Sequence, residues 1–338
     1  MSALQVTWFG LIGVLLAGYI IMDGFDLGVG FWHLFARKES DRLTMMASIA
    51  PYWDGNEVWL LTGGGAVFAA FPKVYATVFS GFYLALMLVL FALIFRAVSL
   101  EFRHQSDSTC WKRLWDFAFG IGSTLPALLF GVAMGNVIVG LPLNGAGDYI
   151  GTFFNLLNPY SLLIGVTGLA MFAFHGALFT MIKAGEDLAK TALGWAKISG
   201  LIYGILLSIS TVVTVIAFPR MIANYIEFPV LWLLPVIMLA AAWLAWVLGT
   251  TGKTWKAFML SSGAMLAIIV TLAVGVFPNW VYVSSDPTLN LTIANASSSP
   301  LTLKTMLILA LIGVPIVLAY TVWIHQVFKG KAEEGVSY

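Results

Sequence analysis

The chain of 338 residues is 60% hydrophobic and only 10% charged, with a formal net charge of +1, against roughly 25% charged residues in soluble domains. That composition points to an integral membrane protein and excludes the basic footprint a nucleic-acid binder needs. A single cysteine, Cys110, excludes an intrachain disulfide and a cysteine-built metal cluster.

Apolar runs bounded by charged or Pro/Gly/Asn-rich stretches predict membrane spans near 7–32, 52–71, 74–98, 115–139, 160–182, 194–217, 230–249, 256–279 and 303–327. The expectation is an all-α integral membrane protein of about nine transmembrane helices arranged as helical bundles, in one polytopic domain over residues 1–338. No Lys or Arg precedes the first run and no Ala-x-Ala-like site follows it, so it reads as a retained span and not a cleaved signal peptide. The tightest division is between the second and third spans, where Phe71-Pro72-Lys73 must turn the chain at the membrane surface.

Nine spans put the termini on opposite sides. One side then holds Arg37, Lys38, Arg42, Arg96, Arg103, Lys112, Arg113, Lys183, Lys190, Lys197, Lys253, Lys256, Lys329 and Lys331, and the other only Lys73, Arg220 and Lys304. By the positive-inside rule the amino terminus is outside and the carboxyl terminus cytoplasmic. Trp8, Trp111, Trp115, Tyr160, Trp232, Trp280 and Tyr282 lie near predicted span ends and read as interfacial anchors. Gly63-Gly64-Gly65, Gly131 with Gly135, and Gly24, Gly28 and Gly30 read as sites of close helix packing. The outer stretch 281–302, rich in Ser, Asn and Thr, reads as a solvated connection.

Against this background two stretches stand out, Met22-Asp-Gly-Phe-Asp-Leu-Gly-Val-Gly30 and Pro51-Tyr-Trp-Asp-Gly-Asn-Glu-Val-Trp59. Each carboxylate at the centre of a spanning helix costs about 2.5–3.5 kcal/mol on insertion scales, so Asp23, Asp26, Asp54 and Glu57 require partners, water or protons. Asp23 and Asp26 share one helical face with Gly30. At 1.5 Å per residue from an outer start near residue 7, Asp26 falls about 28 Å along the first span, near the inner boundary of a roughly 30 Å core. Asp54 and Glu57 open the second span from the same side, so all four acids are expected to converge on the cytoplasmic half. Some can serve helix ends or pair with Arg96, the basic residue predicted in the inner part of the third span. Four acids against one arginine leave an excess that must be hydrated or protonated, which fits a proton-handling cluster.

Haem ligation is poorly supplied. Of the four histidines, His33, His104 and His325 lie at or beyond span ends, which leaves His175, within Phe172-Ala-Phe-His-Gly176, to read as a packed or hydrogen-bonded group. Gly28-Val-Gly30 follows no strand and lacks the third glycine of a nucleotide loop.

At the acidic motifs the chain resembles subunit II of the cytochrome bd-type quinol oxidases, the terminal oxidases of bacterial and archaeal respiration. The resemblance rests on Asp23-Gly-Phe-Asp-Leu-Gly-Val-Gly30, Ser48-Ile-Ala-Pro-Tyr-Trp-Asp-Gly-Asn-Glu-Val-Trp-Leu60, Gly63-Gly-Gly-Ala-Val-Phe-Ala-Ala-Phe-Pro72 and Asn155-Leu-Leu-Asn-Pro159, covers much of residues 10–170, and returns near Phe277-Pro278 and Asn295–Ser298. It implies a nine-helix subunit in the prokaryotic cytoplasmic membrane, paired with a subunit I of like fold that carries the haems (haem b with haem d, or haem b alone) and the quinol-oxidising loop. This chain would then bind no haem and no metal. The implied complex oxidises quinol and reduces O₂ to water with protons drawn from the cytoplasm. A small accessory subunit can join such complexes, and some members hold a structural quinone in this subunit. The resemblance carries a proton-entry role onto Asp26 and Asp54, with Asp23 and Glu57 as weaker members. It gives Trp53, Asn56, Trp59, Gly28, Gly30 and Arg96 roles in shaping, packing or subunit contact. Two other classes stay open: a proton-coupled secondary transporter, which the odd span count disfavours, and a purely structural assembly subunit.

Overall fold

A computed structural model describes residues 1–332 of the chain; the cytoplasmic position expected for the extreme carboxyl terminus falls outside the described residues. The helices are α1 (Ala3–His33), α2 (Glu39–Ile49), α3 (Trp53–Ala70), α4 (Pro72–Gly81), α5 (Tyr83–Phe102), α6 (Thr109–Val139), α7 (Pro159–Lys183), α8 (Glu186–Ala217), α9 (Ala223–Glu227), α10 (Leu233–Thr250), α11 (Thr254–Val276) and α12 (Pro300–Val327). Each predicted span falls on one of them, the third on α4 and α5 together. Among the described residues eight helices are long and apolar enough to cross a membrane. The helix of the second predicted span, α3, is shorter and less apolar because Asp54, Asn56 and Glu57 occupy its start. Phe71 separates α3 from α4 as cap to both, and Pro72 opens α4 where its missing N–H is no loss. Both α6 and α8 begin several residues before their apolar runs, because hydrogen bonding continues into polar first turns that a hydropathy argument leaves out.

Local chemistry fixes the ends. The Ser2 hydroxyl accepts from the Gln5 amide N–H while the Gln5 side chain accepts from the Ser2 N–H, a reciprocal capping box that starts α1. Asn158 before Pro159 and Ser299 before Pro300 start α7 and α12 in the same way, each accepting from a first-turn amide.

The axis of the bundle is α1, which packs on α3, α6, α7 and α11. Its crossing with α7 is made backbone to backbone at Gly28 and Gly176, where a Cβ on either residue would overlap the other helix. The inner core gathers Phe25, Leu27, Met45, Phe174 and Phe179 around this crossing. Of the glycine run on α3, Gly63 packs on Leu15 and Leu16 of α1 as expected, whereas Gly64 and Gly65 have no neighbour among the described residues close enough to meet a Cβ.

Two expectations need correction at the outer end. The stretch 281–302 is not merely a solvated connection. Strands β1 (Asn279–Val281) and β2 (Leu291–Thr292) pair antiparallel there, and Val281, Val283, Ile293 and Ala296 are buried in an outer core with Phe9, Ile12 and Phe71. Its polar residues satisfy the turns: Asn290 Oδ1 accepts from the Val283 N–H and Asn295 Oδ1 from the Thr292 N–H, which frees the apolar residues between them to face inward. Nor is Trp8 an interfacial anchor. It is buried, and its indole N–H donates to the Leu303 carbonyl at 2.9 Å, tying α1 to the start of α12.

That tie matters because α12 buries only Leu303 along its length. It is pinned at its ends. At the outer end the Trp8 bond is joined by Ser298, whose N–H and hydroxyl donate to the Ala70 and Ala69 carbonyls. At the inner end Lys183 Nζ, at the close of α7, donates to the Phe328 carbonyl, to the Gly330 carbonyl at 3.3 Å and to the Tyr52 hydroxyl at 2.9 Å. In return Lys331 Nζ, just past α12, donates to the Ile182 carbonyl of α7 at 2.8 Å. Each lysine therefore caps the carboxyl end of the other's helix.

Candidate functional site

The last third of α1, the first turns of α3 and the last turns of α5 meet on one side of the bundle, at the end where most of the basic residues gather. Three residues per step on α1 puts Asp23 and Asp26 on the face turned to α3 and α5. Both are fully buried. Asp23 takes the Arg96 guanidinium in a two-pronged pair, Nη1 to Oδ2 at 2.9 Å and Nη2 to Oδ1 at 2.5 Å, with both side chains fully enclosed. Glu57 brings Oε1 to 3.5 Å from the same Nη2, an ion-pair distance without a hydrogen bond.

Asp26 has no such counter-charge. Its Oδ2 accepts from Asn56 Nδ2 at 2.7 Å, the same amide nitrogen that donates to the Met22 carbonyl at 3.2 Å, while its Oδ1 is buried without a protein partner. The motif spacing explains this arrangement. On α3, Trp53, Asn56 and Glu57 fall on the turn facing α1, so one strand of sequence supplies a packing ring, an amide donor and an acid at successive positions. Arg96 thus neutralises about one carboxylate, and the group as a whole keeps an acidic surplus inside the bundle.

The structure brings Asp23, Asp26, Glu57, Asn56 and Arg96 together, but not Asp54. Its side chain lies exposed on the first turn of α3, with Glu57 as an electrostatic neighbour. All four acids lie at the same end of the bundle, as expected, but only three are enclosed: Asp54, one turn before Glu57 at the head of α3, stays exposed. Trp53 is half-buried against the inner core. Trp59 is buried where its indole fills the space left by Gly18 of α1, next to Leu15 and Tyr19. Gly28 admits α7, and Gly30 lies against Ser123 of α6, where a Cβ would overlap the serine side chain.

Sequence reasoning missed a second charged group about two turns further along α1, at His33. Asp116 of α6 accepts from Arg103 Nε at 2.6 Å and Arg42 Nη1 at 3.0 Å, and lies 2.9 Å from His33 Nε2; Arg103 also reaches Glu39 at 2.8 Å. This network joins α1, α2, α6 and the turn after α5. The signal was present: an acid opening a predicted span beside a histidine closing another. It was passed over because span ends are where solvated charge is ordinarily found.

His175 is the packed histidine its surroundings suggested. Nδ1 is 3.0 Å from the Ser261 hydroxyl, Nε2 is 3.3 Å from the Ile21 carbonyl, and the ring stacks on Phe258 at 4.3 Å. With both nitrogens engaged in protein bonds, it does not fit an axial haem ligand. A separate cavity of about 190 Å³ lies among α6, α7, α8, α10 and α11. Its walls are almost wholly apolar; of the hydroxyls that reach it, Thr167 pairs with Ser210 at 3.0 Å, Thr211 and Tyr225 donate to the Leu207 and Thr271 carbonyls, and the Thr271 hydroxyl is buried without a partner.

Residues 4–328 match the family model described as cytochrome bd terminal oxidase subunit II. A probable cytochrome oxidase subunit 2 of Haemophilus influenzae is 39% identical, the match covering 98% of this chain and 95% of that protein. The cytochrome bd-I ubiquinol oxidase subunit 2 of Escherichia coli is 35% identical with the same coverage, and the cytochrome bd ubiquinol oxidase subunit 2 of Bacillus subtilis is 34% identical over 98% of this chain and 97% of its own length. A chain in the structure of the bd oxidase from Geobacillus thermodenitrificans shares the fold with a TM-score of 0.77 at 15% identity, covering 97% of this chain and 99% of that one.

Proposed function

This chain belongs to the family of cytochrome bd terminal oxidase subunit II, and on that premise we propose that it is the haem-free subunit that docks on a haem-bearing subunit I and passes cytoplasmic protons towards it. The chain is a multi-pass membrane component of a respiratory oxidoreductase; the transporter reading falls with family membership. Reduction of O₂ to water, with electrons from quinol, would take place in the partner, since His175 is committed to Ser261 and Ile21.

The observation that carries the proton reading is the surplus of buried acid. The Asp23–Arg96 pair is charge-balanced and holds α1 to α5, whereas Asp26 is held by a neutral amide and has an oxygen to spare. Such a carboxyl can take up and give back a proton without breaking an ion pair. Asp54, exposed at the head of α3, is the acceptor from water, and Glu57 stands one turn further in. The docking face is the outer surface of α3, α5 and α12: Leu61, Phe68 and Leu311 are largely exposed, Gly64 and Gly65 are open, and Asp54 lies on the same helix. An exposed acid and open glycines about 15 Å apart on one helix call for a protein or water neighbour more than lipid. The inner membrane of a prokaryote is the setting. The structural quinone some relatives hold would find apolar walls in the cavity among α6, α7, α8, α10 and α11.

The test uses the assembled complex. Asp26→Asn and Asp54→Asn should each slow quinol oxidase turnover and proton uptake together, at unchanged haem content. If both variants turned over and took up protons like the parent, the chain would keep only an assembly role.

A further inference from the structure

Beside the acids lies a concentration of buried polar atoms that protein groups leave unsatisfied. Asp26 Oδ1, Glu57 Oε1 and Arg96 Nε lack a hydrogen-bond partner, and the Tyr19 hydroxyl, with Asp23 as its polar neighbour, makes no well-formed bond; Arg96 and Glu57 act electrostatically on both Tyr19 and Asp26. Tyr19, Asp26 and Arg96 are at most 2% exposed, so bulk water does not serve them. Burying a polar group without a partner costs about 1–3 kcal/mol, and proteins meet that cost with internal water that makes two to four bonds to such groups. Four orphaned atoms at the meeting of α1, α3 and α5, including a donor in Arg96 Nε, acceptors in both carboxyls and a hydroxyl that can do either, are the partner set such water requires.

We propose that the meeting of α1, α3 and α5 is an internal water site, bounded by Tyr19, Asp26, Glu57 and Arg96, in which the Tyr19 hydroxyl positions the water joining the Glu57 and Asp26 carboxyls. This rests on the proton-delivery reading and supplies its missing segment. Glu57 and Asp26 are not hydrogen-bonded to each other, since the oxygens they could share are the ones without partners. In a transfer, the Glu57 carboxyl gives its proton to the bound water, and that water gives one of its protons to Asp26 Oδ1. Glu57 is left as carboxylate beside Arg96, the water is restored, and no electron moves. Tyr19 does not exchange a proton; it fixes the water by one hydrogen bond and is a positioning residue. Its ring is held independently, edge-on to Phe130 at 5.4 Å and beside Leu15 and Trp59.

The experiment is Tyr19→Phe in the assembled quinol oxidase, which removes one oxygen whose polar protein neighbour is Asp23, already held by Arg96, and leaves the packed ring. The expected result is a fall of about tenfold in the rate of proton uptake with a raised solvent deuterium isotope effect, at unchanged KM for quinol and unchanged haem content. A density map of the parent complex at a resolution that shows water should place ordered solvent within hydrogen-bond distance of Tyr19 Oη and Asp26 Oδ1. A parent map that is dry there, or a Tyr19→Phe complex with parental uptake and isotope effect, would overturn the proposal. Asp26→Asn run beside it separates the two ideas. Slow uptake in Asp26→Asn with parental uptake in Tyr19→Phe retains the relay and removes the water, whereas parental uptake in both removes the relay itself.

Discussion

Replacing Arg96 by Gln removes the one guanidinium that faces Asp23 and Glu57, and leaves three carboxyls in a space enclosed by α1, α3 and α5. Taking away one partner of a buried ion pair costs about 3–5 kcal/mol, because the survivor stays desolvated with nothing to balance it. The upper part of that range applies here: both side chains are fully buried, two hydrogen bonds of 2.9 and 2.5 Å are lost, and Glu57 loses its counter-charge at 3.5 Å. At about 2 °C per kcal/mol for a large chain, the melting temperature of the detergent-purified complex should drop by about 8–10 °C. Asp23→Asn should cost a similar amount. The double variant Asp23→Asn with Arg96→Gln, which pairs two neutral amides, should recover most of the loss, so the two effects must be strongly non-additive. The reasoning fails if Arg96→Gln melts with the parent, or if the double variant melts as low as the sum of the singles, since either result would mean that the pair is not shielded from bulk solvent.

Gly28→Ala should abolish recovery of a haem-bearing complex from membranes, because the added methyl overlaps the Phe172 carbonyl and the Gly176 backbone at the central helix crossing. Asp116→Asn should destabilise by about 1.5–3 kcal/mol, the worth of hydrogen bonds to a charged group, read as a lower denaturation midpoint; Arg103, which keeps Glu39, limits the loss. Lys183→Met should leave the bundle folded but speed protease cleavage around Phe328–Lys331 severalfold, since the Phe328 and Gly330 carbonyls lose the ammonium that ties them to α7, although the Tyr52 hydroxyl still donates to Phe328.

Much of this was legible in the sequence because the bilayer imposes simple rules. Apolar length placed the spans, and the misplaced charges in two short motifs named most of the site. Period arithmetic put all four acids at one end of the bundle but did not show that Asp54, at the head of α3, stays exposed there. Tyr19 and Asp116 escaped notice for opposite reasons. A tyrosine in an apolar run looks like filling, and an aspartate at a span end looks solvated; only the neighbours contributed by other helices show that both are buried. The outer stretch 281–302 was misread because its Ser, Asn and Thr side chains bond to their own backbone, a use that composition does not distinguish from contact with water.

The reciprocal lysine caps bear on how the subunit answers to the lipid around it. At 28 residues α12 is about 42 Å long, more than a hydrocarbon core of about 30 Å requires, so it must lean or project. With almost no side chain of α12 enclosed by its own bundle, that inclination is set by fastenings at the two rims and by little between them. A bilayer that thickens or thins therefore transmits its strain to Trp8 at one rim and to Lys183 with Lys331 at the other, and reaches Tyr52, the residue from which the acid-bearing helix begins.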